Sequence, residues 1–198
     1  MFRQIAKDPE FWKKVRNDKN YKPMVDRLFE LYDEFGAQDD IPALKFSEYR
    51  MFFETGNRMI YEKKYFAKRI RMNCFALLSL IYPENEEYMI KLQDTIWAIC
   101  DEYSWVVPAH IRDFPAIDKH TIDLFASETG YALSEIKFLL GDRFDELLNN
   151  RISDEIQIRI IDRFINYVQG WEENYANWAA VCVCSVAGAF MNLSIILI

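Results

Sequence analysis

Apolar residues in this chain recur at steps of three and four, and no run alternates with a period of two. That periodicity predicts helices nearly throughout. A first helix is expected over about Pro9 to Asn17. A second runs from about Pro23 to Phe35, with Met24, Leu28 and Leu31 on one face. Gly36 to Pro42 reads as a turn, and a third helix spans about Lys45 to Glu54, ending near Gly56. The next is long, from about Arg58 to Tyr82, with Met59, Phe66, Ile70, Cys74, Leu77 and Ile81 on one stripe. Pro83 ends it. Asn85 is placed to cap the following helix, with Glu86 and Glu87 favourable in its first turn, and Met89, Leu92, Ile96, Ile99 and Tyr103 form its inner face. Beyond the aromatic-rich loop Ser104 to His110, Asp118 is the expected N-cap of a helix to about Leu140. There Ile122, Phe125, Ala126, Leu133, Ile136 and Leu140 should face inward. A last amphipathic stretch, Asp142 to Gln169, carries Ile152, Ile156, Ile160, Phe164 and Val168 at steps of four, and Gly170 breaks it.

The run Ala179 to Ile198 contains no charged residue. A helix that is apolar all round is a membrane span or the centre of a large fold. Ser185, Asn192 and Ser194 interrupt the run and no Lys or Arg follows it, which argues against a span. Its small residues, Ala179, Ala180, Ala187, Gly188 and Ala189, suit close helix packing. The run is expected to be buried in protein, with a homo-oligomer covering what the chain itself leaves open. It reaches Ile198 without a polar cap, which reads as the N-terminal part of something longer. Several helices carry apolar residues on more than one face, as in a two-layer array of helical hairpins. An α-solenoid, an irregular bundle and an (α/α) toroid all fit, and no solenoid consensus recurs at a fixed period. The expectation is one all-α domain over residues 1–198.

Composition narrows the chemistry. Apolar residues at 51% and aromatics at 16% exclude a disordered chain. A net charge of −7 with dispersed Lys and Arg excludes a nucleic-acid partner, since phosphate binding needs clustered cations. The N-terminus has no apolar core of a secretory signal, so a cytoplasmic location is expected. Cys74, Cys100, Cys182 and Cys184 all lie in apolar helical patterns and read as buried free thiols. Cys182-Val183-Cys184 lacks metal-ligand spacing, so no metal and no cofactor are expected.

The candidate binding residues are few. His110 follows Trp105 and Pro108 in a loop, a frequent composition of sites. His120 reads as a solvated residue in a first helical turn. Asp123 and Glu128 are five apart and diverge by about 140° on a helix, so they are not an obvious acid/base pair. Asn174 and Asn177 are three apart and share a helix face. Trp105, Trp171 and Trp178 are either core residues or stacking platforms for sugar rings. Trp105, His110, Glu128, Asn174 and Asn177 are expected to line one groove.

Four stretches occur in an order that resembles the heparinase II/III-like polysaccharide lyases. They are Thr55-Gly56-Asn57-Arg58 with Tyr61-Glu62, Trp105-Val106-Val107-Pro108-Ala109-His110, Asp123 to Thr129, and Asn177-Trp178-Ala179-Ala180-Val181-Cys182. The resemblance covers about Phe52 to Met191. It implies an incomplete (α/α) toroid built from helical hairpins, without the β-sandwich domains of that family. It also implies β-elimination on uronic-acid polysaccharides, with Asn177 matching the asparagine that neutralises the uronate carboxylate. Trp105, His110, Glu128, Asn174 and Trp178 would then contact an acidic oligosaccharide. The family's catalytic Tyr and later His have no match here, and Val183 to Val186 stand where the family commonly has glycines. The chain is therefore expected at most to bind acidic saccharides without cleaving them; the alternatives are a non-catalytic helical interaction module and a helical protein anchored by its apolar tail.

Overall fold

The computed structural model describes residues 2–37, 40–111, 120–173 and 177–195. All regular structure among the described residues is helical. The helices are α1 (Phe2–Ala6), α2 (Pro9–Asn17), α3 (Lys22–Leu31), α4 (Phe46–Thr55), α5 (Met59–Ile81), α6 (Glu86–Cys100), α7 (Leu124–Leu140), α8 (Glu146–Ile156), α9 (Asp162–Asn166) and α10 (Asn177–Ile195). A π turn, Tyr32–Gly36, extends α3, and a second, Gln157–Ile161, joins α8 to α9 without a break.

Local chemistry sets the starts. Asp8 accepts from the Glu10 N–H at the head of α2, with Pro9 at the first helical position. Asn85 caps α6 as expected, accepting from Glu87 N–H. Helix α7 begins later than the sequence suggests. Its N-cap is Asp123, whose Oδ1 accepts from Ala126 N–H at 2.7 Å; Asp118 lies outside the described residues.

The steps of four in α8 and α9 have a structural answer. A straight α-helix rotates such a stripe by about 40° per step. The π turn at Gln157–Ile161 takes more residues per turn and unwinds part of that drift. Ile152, Ile156 and Ile160 are all fully buried in consequence. Val168 lies beyond α9 and is exposed, so the stripe ends before it.

The long stripe expected on α5 is corrected in part: Cys74 and Ile81 are buried as expected. Met59 and Leu77 are exposed, whereas Tyr61, Tyr65, Lys68, Met72, Phe75 and Ser79 are buried at alternating steps of four and three. The buried face contains a lysine, with Arg71 beside it, because each finds acceptors inside the fold. Consecutive helices pair as hairpins, α5 with α6 and α7 with α8, around one core shared by all four.

The most extensive helix pair is α7 with α10. Small residues bring the two backbones close. Gly188 sits against the Tyr131 ring, where a Cβ would come within 2.6 Å. Asn192, buried, donates to Ser134 Oγ at 2.9 Å. The tail is not buried all round, however. Cys182, Val186 and Ala189 face α7, while Val183, Phe190 and Met191 are exposed. The expected self-association concerns that outer face. Among the described residues no helix is long and apolar enough to cross a membrane.

Three thiols are buried and Cys184 is exposed, correcting the expectation of four buried cysteines. Burial pushes the thiols of Cys74 and Cys182 up to about 11 and that of Cys100 to about 12. A thiol-specific reagent at about pH 8 needs thiolate and access. The folded chain is expected to titrate one thiol rapidly, and the denatured chain all four. Rapid labelling of several thiols without denaturant, or rapid labelling that persists in Cys184→Ser, would contradict this packing.

Gly130 of α7 meets Ile160, where a Cβ would lie 2.7 Å from Cγ1. Ile160 is fully buried and has nowhere to go. Gly130→Ala gains about 1 kcal/mol of helix propensity but overpacks the core at about 1–3 kcal/mol. A net loss of stability is expected in urea unfolding. A rise in midpoint would show that α7 and the π turn separate easily.

Candidate functional site

The segment between α6 and α7 is held by its own main chain and by one carboxylate. Trp105 is 1% exposed, and its indole N–H donates to Ile99 O at 2.9 Å. It is a core residue, and its ring offers no face to a sugar. Its carbonyl accepts from the Tyr65 hydroxyl at 2.7 Å, tying the loop to α5. Asp123 is fully buried. Besides capping α7, it accepts from Val107 N–H at 3.2 Å and lies 2.8 Å from His110 Nδ1, both through Oδ2. An ionised carboxylate only accepts, so His110 Nδ1 donates to Asp123 Oδ2.

Aromatic rings fix the imidazole from two sides. His110 stacks on Phe125 of α7 at 5.4 Å between centroids and meets the Trp178 ring of α10 edge-on at 4.6 Å. Trp178 is half-buried, and Asn177, the first residue of α10, is exposed beside it. Three separate stretches, 105–110, 123–129 and 177–182, thus converge on one spot. Glu128 lies on the other side of Phe125. It is exposed at the rim of a cavity of about 100 Å³ that Tyr65, Arg69 and Thr129 also line. Burial, and then the charge of Asp123, raise its pKa from the ordinary carboxylate value. The site residues named from sequence therefore divide. His110 and Trp178 touch, Asn177 adjoins them in sequence, Glu128 is a neighbour through Phe125, Trp105 is structural, and Asn174 lies outside the described residues. Trp171 is buried with its N–H donating to Ile122 O. His120 is exposed and stacks on Tyr167 at 3.8 Å.

Sequence reasoning missed Asp123, Tyr65 and Arg69. The signal for Asp123 was present: an Asp immediately ahead of the apolar helix Leu-Phe-Ala is an N-cap signature. Behind the aromatic cluster, Arg69 grips Glu102 with two bonds of 2.6 Å and lies 3.4 Å over the Tyr65 ring. Lys68 reaches the same carboxylate at 2.8 Å. Burial pushes the Tyr65 phenol well above its ordinary value. With its hydroxyl already given to Trp105 O, Tyr65 is a poor base.

No protein-family model matches the chain, and no curated protein matches it. Among the described residues no group of His, Cys, Asp and Glu could hold a metal ion.

Asp123 is expected to be the most sensitive of these positions. Asp123→Ala removes a helix cap and leaves the Val107 N–H and the imidazole without their acceptor. Together that is about 2–4 kcal/mol. Asp123→Asn keeps an acceptor for one or two of these donors and should cost less. Urea unfolding of the two variants ranks them, and an Asp123→Ala protein as stable as the parent would refute the role.

Proposed function

We propose that the chain is a saccharide-binding helical lobe of the heparinase II/III-like kind, with an acidic oligosaccharide bound across Asn177, Trp178 and His110. The observation that carries this is the convergence of three motif stretches, separated by up to about 70 residues of chain, on the contact between His110 and Trp178. In this reading the hairpins α5–α6 and α7–α8 are part of an incomplete (α/α) toroid, and the exposed face of α10 meets a second copy.

The chemistry of the cluster is compatible with an acidic sugar. Trp178 and His110 offer ring edges and faces for stacking. The Asn177 carboxamide is a neutral donor that can bond a uronate carboxylate without a counter-ion. Two carboxylates stand nearby and would repel an anion. Asp123 is fully occupied by two N–H groups and the imidazole, so an anion there depends on the neutral Asn177 carboxamide. Proton abstraction is another matter. A base must come within hydrogen-bond reach of the proton it takes, and Tyr65 is buried and engaged. Binding without β-elimination is the function proposed.

Calorimetric titration with oligomannuronate, a heparin hexasaccharide and a neutral maltohexaose tests this. The acidic ligands should bind and the neutral one should not. Trp178→Ala should weaken binding by about tenfold, the scale of a lost aromatic contact, and Asn177→Ala should weaken the acidic ligands too. Equal binding of acidic and neutral sugars, or none, would end the proposal. A rise in unsaturated-uronate absorbance that Asn177→Ala abolishes would show a working lyase instead of a binding lobe.

A further inference from the structure

A second and larger cavity, of about 790 Å³, lies between the segment Ile41–Lys45, α4 and the start of the loop after α6. That is within the range of small-molecule sites. Its walls include Leu44, Phe46, Tyr49 and Tyr103, and Tyr61, Lys68 and Glu102 from the buried face of α5 and the end of α6. We propose that this cavity is a binding site for a small organic carboxylate with an apolar or aromatic body, its anion received by Lys68.

The sign of the ligand follows from how the polar groups at the cavity are already used. Glu102 is buried, and both of its oxygens are taken: Oε1 by Arg69 and Lys68, and Oε2 by Arg69. Lys68 lines this cavity, and Arg69, which lies over the Tyr65 ring at the other cavity, is a second cation on the same carboxylate, so Glu102 is neutralised without using up Lys68. Asp101 at the rim is engaged by Arg151 at 2.8 Å. Lys68 donates to Ala98 O at 2.9 Å and to Glu102, which leaves one of its three N–H groups without an acceptor among the described residues. Tyr61 is 4% exposed and lines the same cavity, its phenol a hydroxyl that can donate. Lys68 therefore keeps a donor for a ligand, the Tyr61 hydroxyl can donate beside it, and a carboxylate is the acceptor that suits an ammonium.

The shape of the ligand follows from the walls. Tyr49 meets Tyr61 and Tyr103 edge-on at 5.6 and 5.9 Å. These rings and the side chains of Leu44 and Phe46 make a slot for a flat or apolar body. Tyr61 and Lys68 are seven residues apart on one face of α5, about 10 Å along the axis. A carboxylate at one end and a ring at the other fills that length. Nothing in this argument depends on saccharide binding at Trp178, which lies on the far side of Tyr65 and Phe125.

Binding of 3-phenylpropionate, 3-phenylpropan-1-ol and 3-phenylpropylamine, followed by amide chemical-shift titration of the full chain, tests the proposal. The three probes share one body and differ in charge. The acid is expected to bind at least about tenfold tighter than the alcohol, the value of one charge-assisted hydrogen bond, and the amine weakest. Shifts should centre on Tyr61, Lys68 and Tyr103. Lys68→Met, which leaves Glu102 its two bonds from Arg69, should erase the preference for the acid, and Trp178→Ala should not. If Lys68→Met does not fold, Tyr61→Phe reports on the same cavity and should weaken the acid severalfold. Equal binding of the three probes, a preference for the amine, no binding of any, or an acid preference that survives both variants would each overturn the assignment.

Discussion

A helix leaves its last four carbonyls without partners inside the helix, and a fold made only of packed helices buries many such ends. Glycine caps are one solution, but Gly56 is the single residue with positive φ among those described. The chain closes its buried ends with cations instead. The end of α6 receives Lys68 on Ala98 O and both Arg151 and Arg159 on Cys100 O. The turn after α3 receives Arg71 on Phe35 O and Gly36 O, with Lys91 on Gly36 O. The end of α5 receives Arg143 on Ser79 O and on Pro83 O. Each is favourable twice over, as a hydrogen bond and as a positive charge at the negative end of a helix dipole. Because donor and acceptor are far apart in sequence, each also specifies which helix lies beside which.

This use of cations explains why an acidic chain keeps its Lys and Arg dispersed. Lys68, Arg71, Lys91, Arg143, Arg151 and Arg159 sit where helices end, and several bring acidic partners with them. Glu155 pairs with both Arg151 and Arg159. Glu102 joins Lys68 to Arg69, whose Nε also points to Thr129 Oγ1 of α7 at 3.3 Å. A buried ion cluster of this kind adds little net stability over an apolar one, but removing one member costs about 3–5 kcal/mol. Its effect is positional. It holds α5, the end of α6 and the first turns of α7 in one arrangement, and the loop carrying His110 hangs between them.

That arrangement also marks what the sequence could reveal. Helix positions were legible from period and caps, because Pro9, Pro83 and Asn85 act locally. Most of the inner faces of α6 and α7 were legible too, being apolar at helical steps. The face of α5 was not. A binary pattern places Lys68 and Arg71 outside, and only the carbonyls of distant helices bring them in. His110 and Trp178 stood out as aromatic groups beside polar ones. Asp123 did not, because its three hydrogen bonds go to Ala126, Val107 and His110, partners that only the folded loop assembles. Trp105 shows the converse. It read as either a core residue or a stacking platform, and an indole N–H that finds the Ile99 carbonyl decides for the core.

The stacked pair Tyr61 and Tyr65, 6.4 Å apart, stands between the two candidate sites. Tyr65 faces the loop: its hydroxyl is given to Trp105 O, and its ring carries the Arg69 guanidinium. Tyr61 lines the cavity. The charge around the pair is divided in the same sense. On the His110 side the nearby ionisable groups include Asp123 and Glu128, both acids, so an anion there depends on neutral donors such as Asn177. On the cavity side Lys68 offers an ammonium, so an anion there meets a cation directly. Arg69 spans the pair, lying over the Tyr65 ring on one flank and gripping Glu102 on the other, so the two sites share one ion cluster through α5.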